Sequence, residues 1–235
     1  GGSSNGGSWT DYNNDGNIDL FVANSSNENN FLYYNNGDGS FTKITNGDIV
    51  NDGGASRGAS FSDYNNDGFI DLFVTNYGEE NFLYENQGND NNWVNINLSG
   101  TRTIGSRVSV KADIGGISTW QINELSGQTG YGSQNSLNAE FGLGDASIID
   151  SIKVKWTTGE EQYLVDQAVN QFINIEPPLD CAGIQGGFNW VDCNGFCSSE
   201  DGFTGDTIDC NGLCGGTSVT CFTSITDGDI VNDGG

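Results

Sequence analysis

Short apolar bursts separated by polar, glycine-rich stretches run along most of this 235-residue chain. Ile18-Asp19-Leu20-Phe21-Val22 is followed, after a polar interval, by Phe31-Leu32-Tyr33. Ile70-Asp71-Leu72-Phe73-Val74 is followed in the same way by Phe82-Leu83-Tyr84. Bursts of this length, rich in β-branched and aromatic residues and bounded by Asn, Asp and Gly, predict strands. From about Asn92 the pattern becomes strict alternation, as in Val108 and Val110 or Ile152, Val154 and Trp156. A period of two predicts sheets with one buried face. The fold class is therefore all-β. No apolar run reaches the ~18 residues that a membrane-spanning helix needs, so no membrane insertion is expected.

The bursts belong to an internal repeat. Gly1–Asn24 aligns without gaps to Gly53–Asn76, and NFLYYNNG is echoed by NFLYENQG, a period of about 51 residues. Each copy reads as an Asp/Asn/Gly loop, a strand, a short loop and a second strand. This unit resembles the FG-GAP/VCBS repeat, which implies blades of an extracellular β-propeller; two copies do not close a ring of four to eight blades. Residues 92–176 resemble the ASPIC/UnbV domain through IGSRVSV, SGQTGYGSQNS, FGLGDASIIDSIKVKW, TGEEQ and NQF. The loop before Ile104 is shorter than in that family. FG-GAP repeats followed by ASPIC/UnbV are the arrangement of the cartilage acidic protein family and its bacterial relatives, and the resemblance implies a β-sandwich-like module without established catalysis. Pro177-Pro178 marks a linker, and residues 179–221 resemble short DCxGxCGG repeats, with Gln185 where that pattern would carry a cysteine. Four segments are thus expected: two blade-like repeats over 1–91, a β-sandwich-like module over 92–176, a small disulfide-rich module over 177–221, and a tail over 222–235.

Composition narrows the function. Thirty-two Asp and Glu against seven Lys and Arg give a formal charge of −25, and histidine is absent. Such a surface repels phosphate backbones and anionic lipid, so no nucleic-acid partner is expected. Without histidine there is no Ser/His/Asp or Cys/His arrangement and no His metal ligand. Six cysteines, Cys181, Cys193, Cys197, Cys210, Cys214 and Cys221, crowd one apolar-poor stretch and read as a disulfide framework with 15 possible connectivities. That implies an oxidising, extracellular location. With no Met and no leader sequence, a processed chain or a portion of a longer one is expected.

The chemistry-bearing motif is D-x-N-x-D-G-x-I-D, which occurs twice. Its donors at alternate positions are Asp11, Asn13, Asp15, the carbonyl of Asn17 and Asp19, then Asp63, Asn65, Asp67, the carbonyl of Phe69 and Asp71. Oxygen-only donors in a short loop suit Ca²⁺, and two bound ions are expected. Gly16 and Gly68 allow a sharp turn. Position 12 of each loop is Val22 or Val74 rather than the glutamate of an EF-hand. The competing reading is an ion-free Asx turn. Against it, two carboxylates about 4 Å apart would repel by roughly 4 kcal/mol at an effective dielectric of 20. NNGDGSF at Asn35–Phe41 reads as a plain hairpin turn, and EDGFTGDTID at Glu200–Asp209 is a weaker ion candidate.

Asn24 and Asn97 head N-x-S/T sequons and are candidate glycan acceptors. Trp9, Trp93, Trp120, Trp156 and Trp190 fall mostly in strand alternation and are expected in the core. The acids sit in metal-loop spacing rather than as a facing glycosidase pair, so no enzyme activity is expected. The expected function is a calcium-stabilised extracellular structural protein, with a fragment of a larger propeller that binds a receptor or carbohydrate as the alternative. Glycans are the remaining candidate partner. Finally, Phe222–Gly235 copies Phe41–Gly54 at 12 of 14 positions. Within the chain that segment leads into the second Asp loop. The tail of one copy is accordingly expected to pack beside the first repeat of the next, joining copies head to tail.

Overall fold

Each Asp loop closes a β-hairpin whose first strand carries almost no apolar signal. In the computed structural model, which describes residues 2–100, 103–179, 190–191 and 197–198, β1 (Ser3–Thr10) pairs with β2 (Asp19–Ser25), and Thr10 faces Asp19 across the loop. β3 (Phe31–Asn35) and β4 (Phe41–Ile44) complete a four-stranded antiparallel meander. A short 3₁₀ turn, Asp48–Val50, leads on to the second repeat. There β5 (Ser56–Ser62), β6 (Asp71–Asn76) and β7 (Phe82–Tyr84) form a three-stranded meander. Both repeats bulge at the same place, between Ser4 and Gly6 and between Ser56 and Gly58. The β3–β4 connection is the expected hairpin turn, closed by the Asn36 N–H donating to the Ser40 carbonyl at 3.0 Å.

The two repeats share one apolar layer. Phe21, Ala23 and Leu32 of the first face Phe61, Leu72 and Val74 of the second in a single buried cluster, and the Phe21 and Phe61 rings meet edge to face at 6.3 Å. Val50, from the 3₁₀ turn, is buried in the same layer.

The remaining strands of this unit are β8 (Asn92–Leu98), β9 (Arg107–Ile114), β10 (Ile117–Glu124), β11 (Ala139–Gly144), β12 (Ile149–Lys155), β13 (Glu161–Gln167) and β14 (Gln171–Ile175). They make two sheets, ordered β10-β9-β12-β13 and β11-β8-β14, and only β14 on β8 is parallel. Alternate residues of both sheets enter one core: Val94 and Ile96 from β8, Val108 and Val110 from β9, Ile152 and Val154 from β12. Among the described residues no sheet closes into a barrel, and no helix is long and apolar enough to cross a membrane.

Gly1–Pro177 forms one compact unit and Pro178–Gly235 another. Within the second, β15 (Trp190–Val191) pairs antiparallel with β16 (Cys197–Ser198). The expected disulfides, the Glu200–Asp209 ion candidate and the tail 222–235 lie outside the described residues.

The tryptophans depart from expectation. Trp156 is in the core, and Trp93 is partly buried with its ring 5.1 Å from Phe172. Trp9 and Trp120 are exposed, because their strands have a covered face and an open one and these side chains stand on the open one.

Repeats and sandwich meet at unusually short range. A Cβ on Gly142 in β11 would lie 2.0 Å from Asp11 Oδ2 and 2.3 Å from Asn14 Cα, and one on Gly68 would lie 1.8 Å from the Trp93 ring. Gly142→Ala is therefore expected to destabilise the chain by about 3 kcal/mol through overpacking. Gly7→Ala, whose nearest neighbour would be 3.5 Å away, should be close to neutral; chemical denaturation of both variants checks the contrast.

Candidate functional site

The two Asp loops are built on one hydrogen-bond scheme. In the first, Asp11 accepts from the N–H groups of Asp15 at 3.1 Å and Gly16 at 2.8 Å. Asp15 accepts from the Asn17 N–H at 2.8 Å and from Asn13 Nδ2 at 3.1 Å. Asp19 accepts from the N–H groups of Tyr12 at 3.3 Å and Asn35 at 2.7 Å. The second loop repeats each bond. Asp63 takes Asp67 and Gly68, Asp67 takes Phe69 and Asn65, and Asp71 takes Tyr64 and Asn86. Asn14 and Asn66 sit at φ 57° and 60°, with Gly16 and Gly68 at 88° and 91°. These left-handed positions curl the chain so that successive N–H groups point inward at the acids.

All ten predicted donors thus belong to two matching loops, set in different surroundings. Asp11, Asp19, Asp63 and Asp71 are buried; Asn13, Asp15 and Asn17 are partly covered, whereas Asn65 and Asp67 are exposed. The extra cover on the first loop comes from its neighbours. Gly144 N–H donates to the Asn14 carbonyl at 2.8 Å. The amides of Asn89 and Asn91 both donate to the Asn13 carbonyl, at 2.6 and 2.9 Å.

The electrostatics of the loops are dominated by burial of their acids. Burial above all, with the nearby charge of Asp15 adding to it, pushes the Asp11 carboxyl up to about 8 and Asp19 up to about 7. Asp63 and Asp71 are raised by burial as well. Arg107, Lys111 and Lys153 pair with Glu124, Asp150 and Glu161 in the sandwich sheets, away from the loops. Among the described residues, no three acidic, His or Cys side chains are gathered closely enough to hold a metal by themselves. The donor chemistry still suits a hard cation: every side-chain donor is oxygen, and each loop adds Asn and main-chain oxygens to its carboxylates. An ionised carboxylate offers about four lone-pair sites, and the two main-chain N–H bonds to Asp11 leave others free.

Several contributors were not singled out from the sequence. The Asp15 carboxylate raises the nearby Tyr34 phenol, and the N–H groups of Asn35 and Asn86 cap Asp19 and Asp71; the repeated NFLYYN and NFLYEN were the available signal. Glu140 of β11 receives the Asp63 N–H at 3.4 Å and the Ser136 hydroxyl at 2.9 Å, and burial pushes it up to about 7. Nothing in the local pattern marks Glu140. Of the sequons, Asn97 is exposed on β8. Asn24 is fully buried, with Nδ2 donating to the Asn29 carbonyl at 2.7 Å and Oδ1 receiving the Ser4 hydroxyl at 2.8 Å. The folded chain presents Asn97 and withholds Asn24.

With this geometry in place, comparison with known proteins adds family matches. Residues 11–74 match the model for an FG-GAP-like repeat, and residues 97–180 match that for ASPIC and UnbV. Both resemblances hold, in tandem. The FG-GAP-like match takes in both Asp loops, and the ASPIC and UnbV match takes in the strands β9 to β14 and the Gly142 contact. Cartilage acidic protein 1 of Homo sapiens is 25% identical over 214 residues, covering 84% of this chain and 32% of that protein. Its Mus musculus counterpart is 26% identical with the same coverage. The chain spans about a third of the length of these curated relatives.

The raised carboxyls have a consequence for pH. In the cation-free chain, Asp11, Asp19 and Glu140 bind protons more tightly folded than unfolded. Over the window from the unfolded value near 4 up to about 8 the folded state therefore holds more protons, and stability falls as pH rises. A melting temperature measured in chelator should decline across that window; one that climbs to a plateau would contradict the assignment.

Proposed function

We propose that this chain is an extracellular structural protein of matrix or adhesive type, stabilised by one Ca²⁺ in each Asp loop and able to join copies of itself head to tail into a fibre. The observation that carries the reading is the duplication of one oxygen-donor loop, acid for acid and bond for bond, in a polypeptide of charge −25. In the first loop Asp11, Asn13, Asp15, the Asn17 carbonyl and Asp19 would hold the ion; in the second Asp63, Asn65, Asp67, the Phe69 carbonyl and Asp71. The ion would supply positive charge beside the buried acids Asp11, Asp19, Asp63 and Asp71. The role of the protein residues is to fix those oxygens on hairpins anchored against the sandwich. No catalytic step belongs to this reading.

Extracellular placement is supported by the distant likeness to a protein named for cartilage and by the clustered cysteines in the sequence. Exposed Asn97 is the acceptor that a glycan would use. The head-to-tail fibre is supported by the sequence of Phe222–Gly235, which copies Phe41–Gly54.

Two measurements test this. Calcium should raise the melting temperature and chelator lower it, most strongly above pH 8 where the acids are ionised. Asp15→Ala and Asp67→Ala should each remove the part belonging to one loop. An intact chain whose melting curve ignores calcium would end the stabilising role. Separately, alkylation of the native protein under non-reducing conditions should leave its mass unchanged, because three disulfides, typically worth about 2–4 kcal/mol each, would consume all six thiols. Two or more labelled cysteines would remove the framework.

A further inference from the structure

The internal repeat supplies its own template for what should cover its open faces. Inside the chain, one face of the first repeat packs on the opposite face of the second. The equivalent residues, 51 or 52 positions away, are left uncovered. Phe21 and Leu32 are 0% and 5% exposed in the shared layer, while their equivalents in the second repeat, Phe73 and Leu83, are 40% and 56% exposed. In the other direction, Phe61 and Ile70 are 2% and 6% exposed, while Trp9 and Ile18 of the first repeat are 53% and 47% exposed. The outer face of repeat two thus has the apolar pattern of the side of repeat one that is already buried, and the outer face of repeat one has that of the buried side of repeat two.

We infer that the second-repeat face around Phe73 and Leu83 of one copy stacks on the first-repeat face around Trp9 and Ile18 of the next copy of this chain, remaking in trans the layer that joins the repeats in cis. This rests on the fibre reading and identifies the surfaces that build it. The contact is heterologous, since the two faces differ. Each added copy leaves the same pair of faces open, and growth continues.

The sheet edges agree. β3 is paired on both sides, with β2 and β4, whereas its equivalent β7 pairs only with β6 among the described residues. The template also shows what fills such a seam. In Phe41–Gly54, β4 extends the first sheet, Val50 is buried in the shared layer, and Asp52 accepts from Asn30 of the first repeat at 2.7 Å and from Tyr84 of the second at 3.0 Å. The segment thus occupies the seam between the repeats. Its copy at 222–235 keeps the equivalents of Val50 and Asp52, Val231 and Asp233. A second seam segment in the sequence calls for a second seam, and the two open faces are what would form it. A partner copy is therefore favoured over an unrelated apolar ligand. The charge of −25 opposes like copies, so assembly should strengthen with salt and calcium.

The test uses the full chain in calcium at about 0.15 M salt, where the Debye length is about 8 Å, followed by sedimentation velocity and electron microscopy. Wild type should assemble with rising concentration. Leu83→Glu and Trp9→Glu, both at exposed positions and checked for unchanged melting, should each raise the concentration for half assembly by about tenfold or more. Mixing the two variants should give one-to-one pairs and nothing longer, because each retains the face the other lacks. If wild type assembles and neither substitution weakens it, the assignment of faces is overturned while the fibre reading stands. If wild type stays monomeric at every concentration, the fibre reading itself fails. Native material whose denatured mass is a multiple of 25.0 kDa would place the stacking within one longer chain and overturn the second copy as occupant.

Discussion

The approach of the first Asp loop to the backbone of β11 is the constraint on which the rest of the unit hangs. Gly142 has no side chain, so Asp11 and Asn14 can lie where a Cβ would stand. That contact holds the first hairpin against the sandwich and shields Asp11 from water. The same absence of bulk recurs at Gly68, where the second loop meets Trp93. Burial of the acids, their raised proton affinity and their proposed need for a cation all follow from how tightly the loops are pressed inward. Had β11 carried alanine at 142, the loop would stand further off and Asp11 would be better solvated.

Acids in this position fill two roles at once. Their oxygens receive main-chain N–H groups, which shapes the loop, and their charge is left uncompensated by any of the sandwich ion pairs. A loop that folds through its carboxylates yet is destabilised by ionising them has two remedies, a proton or a metal ion. The first is available in acid. The second is available in calcium-rich surroundings outside cells, which is why donor chemistry and proposed location support one another.

How much of this was legible in the sequence depends on the range of the interaction. The Asp loops, the apolar strands β2 and β6 and the alternating strands of the sandwich are local patterns, and they emerge where the residues predict them. β1 is different: Ser3–Thr10 is mostly Gly and Ser, and it is a strand because β2 beside it supplies a hydrogen-bonding edge. Neither Gly142 nor Glu140 carries a local mark, since the importance of each lies in a loop more than 70 residues away. Trp9 and Trp120 mislead for a related reason: alternation tells which residues share a face but not which face is covered. Asn24 looks like a surface sequon because its triplet is local, and it is buried because Ser4 and Asn29 close over it.

Asparagine amides make polar joints between the first Asp loop and the second repeat with its exit segment. Asn14 donates to the Gly68 carbonyl at 3.1 Å and Asn86 to the Tyr12 carbonyl at 2.7 Å, while Asn89 and Asn91 share the Asn13 carbonyl. An amide side chain carries no charge and gains or loses no proton in the ordinary range. These joints therefore keep their strength in fresh or salt water and in acid or base, while the buried carboxylates a few residues away change their charge with pH. The molecule separates its weatherproof joinery from its proton-sensitive fittings. A change of pH thus strains or eases the loops without the repeats coming out of register.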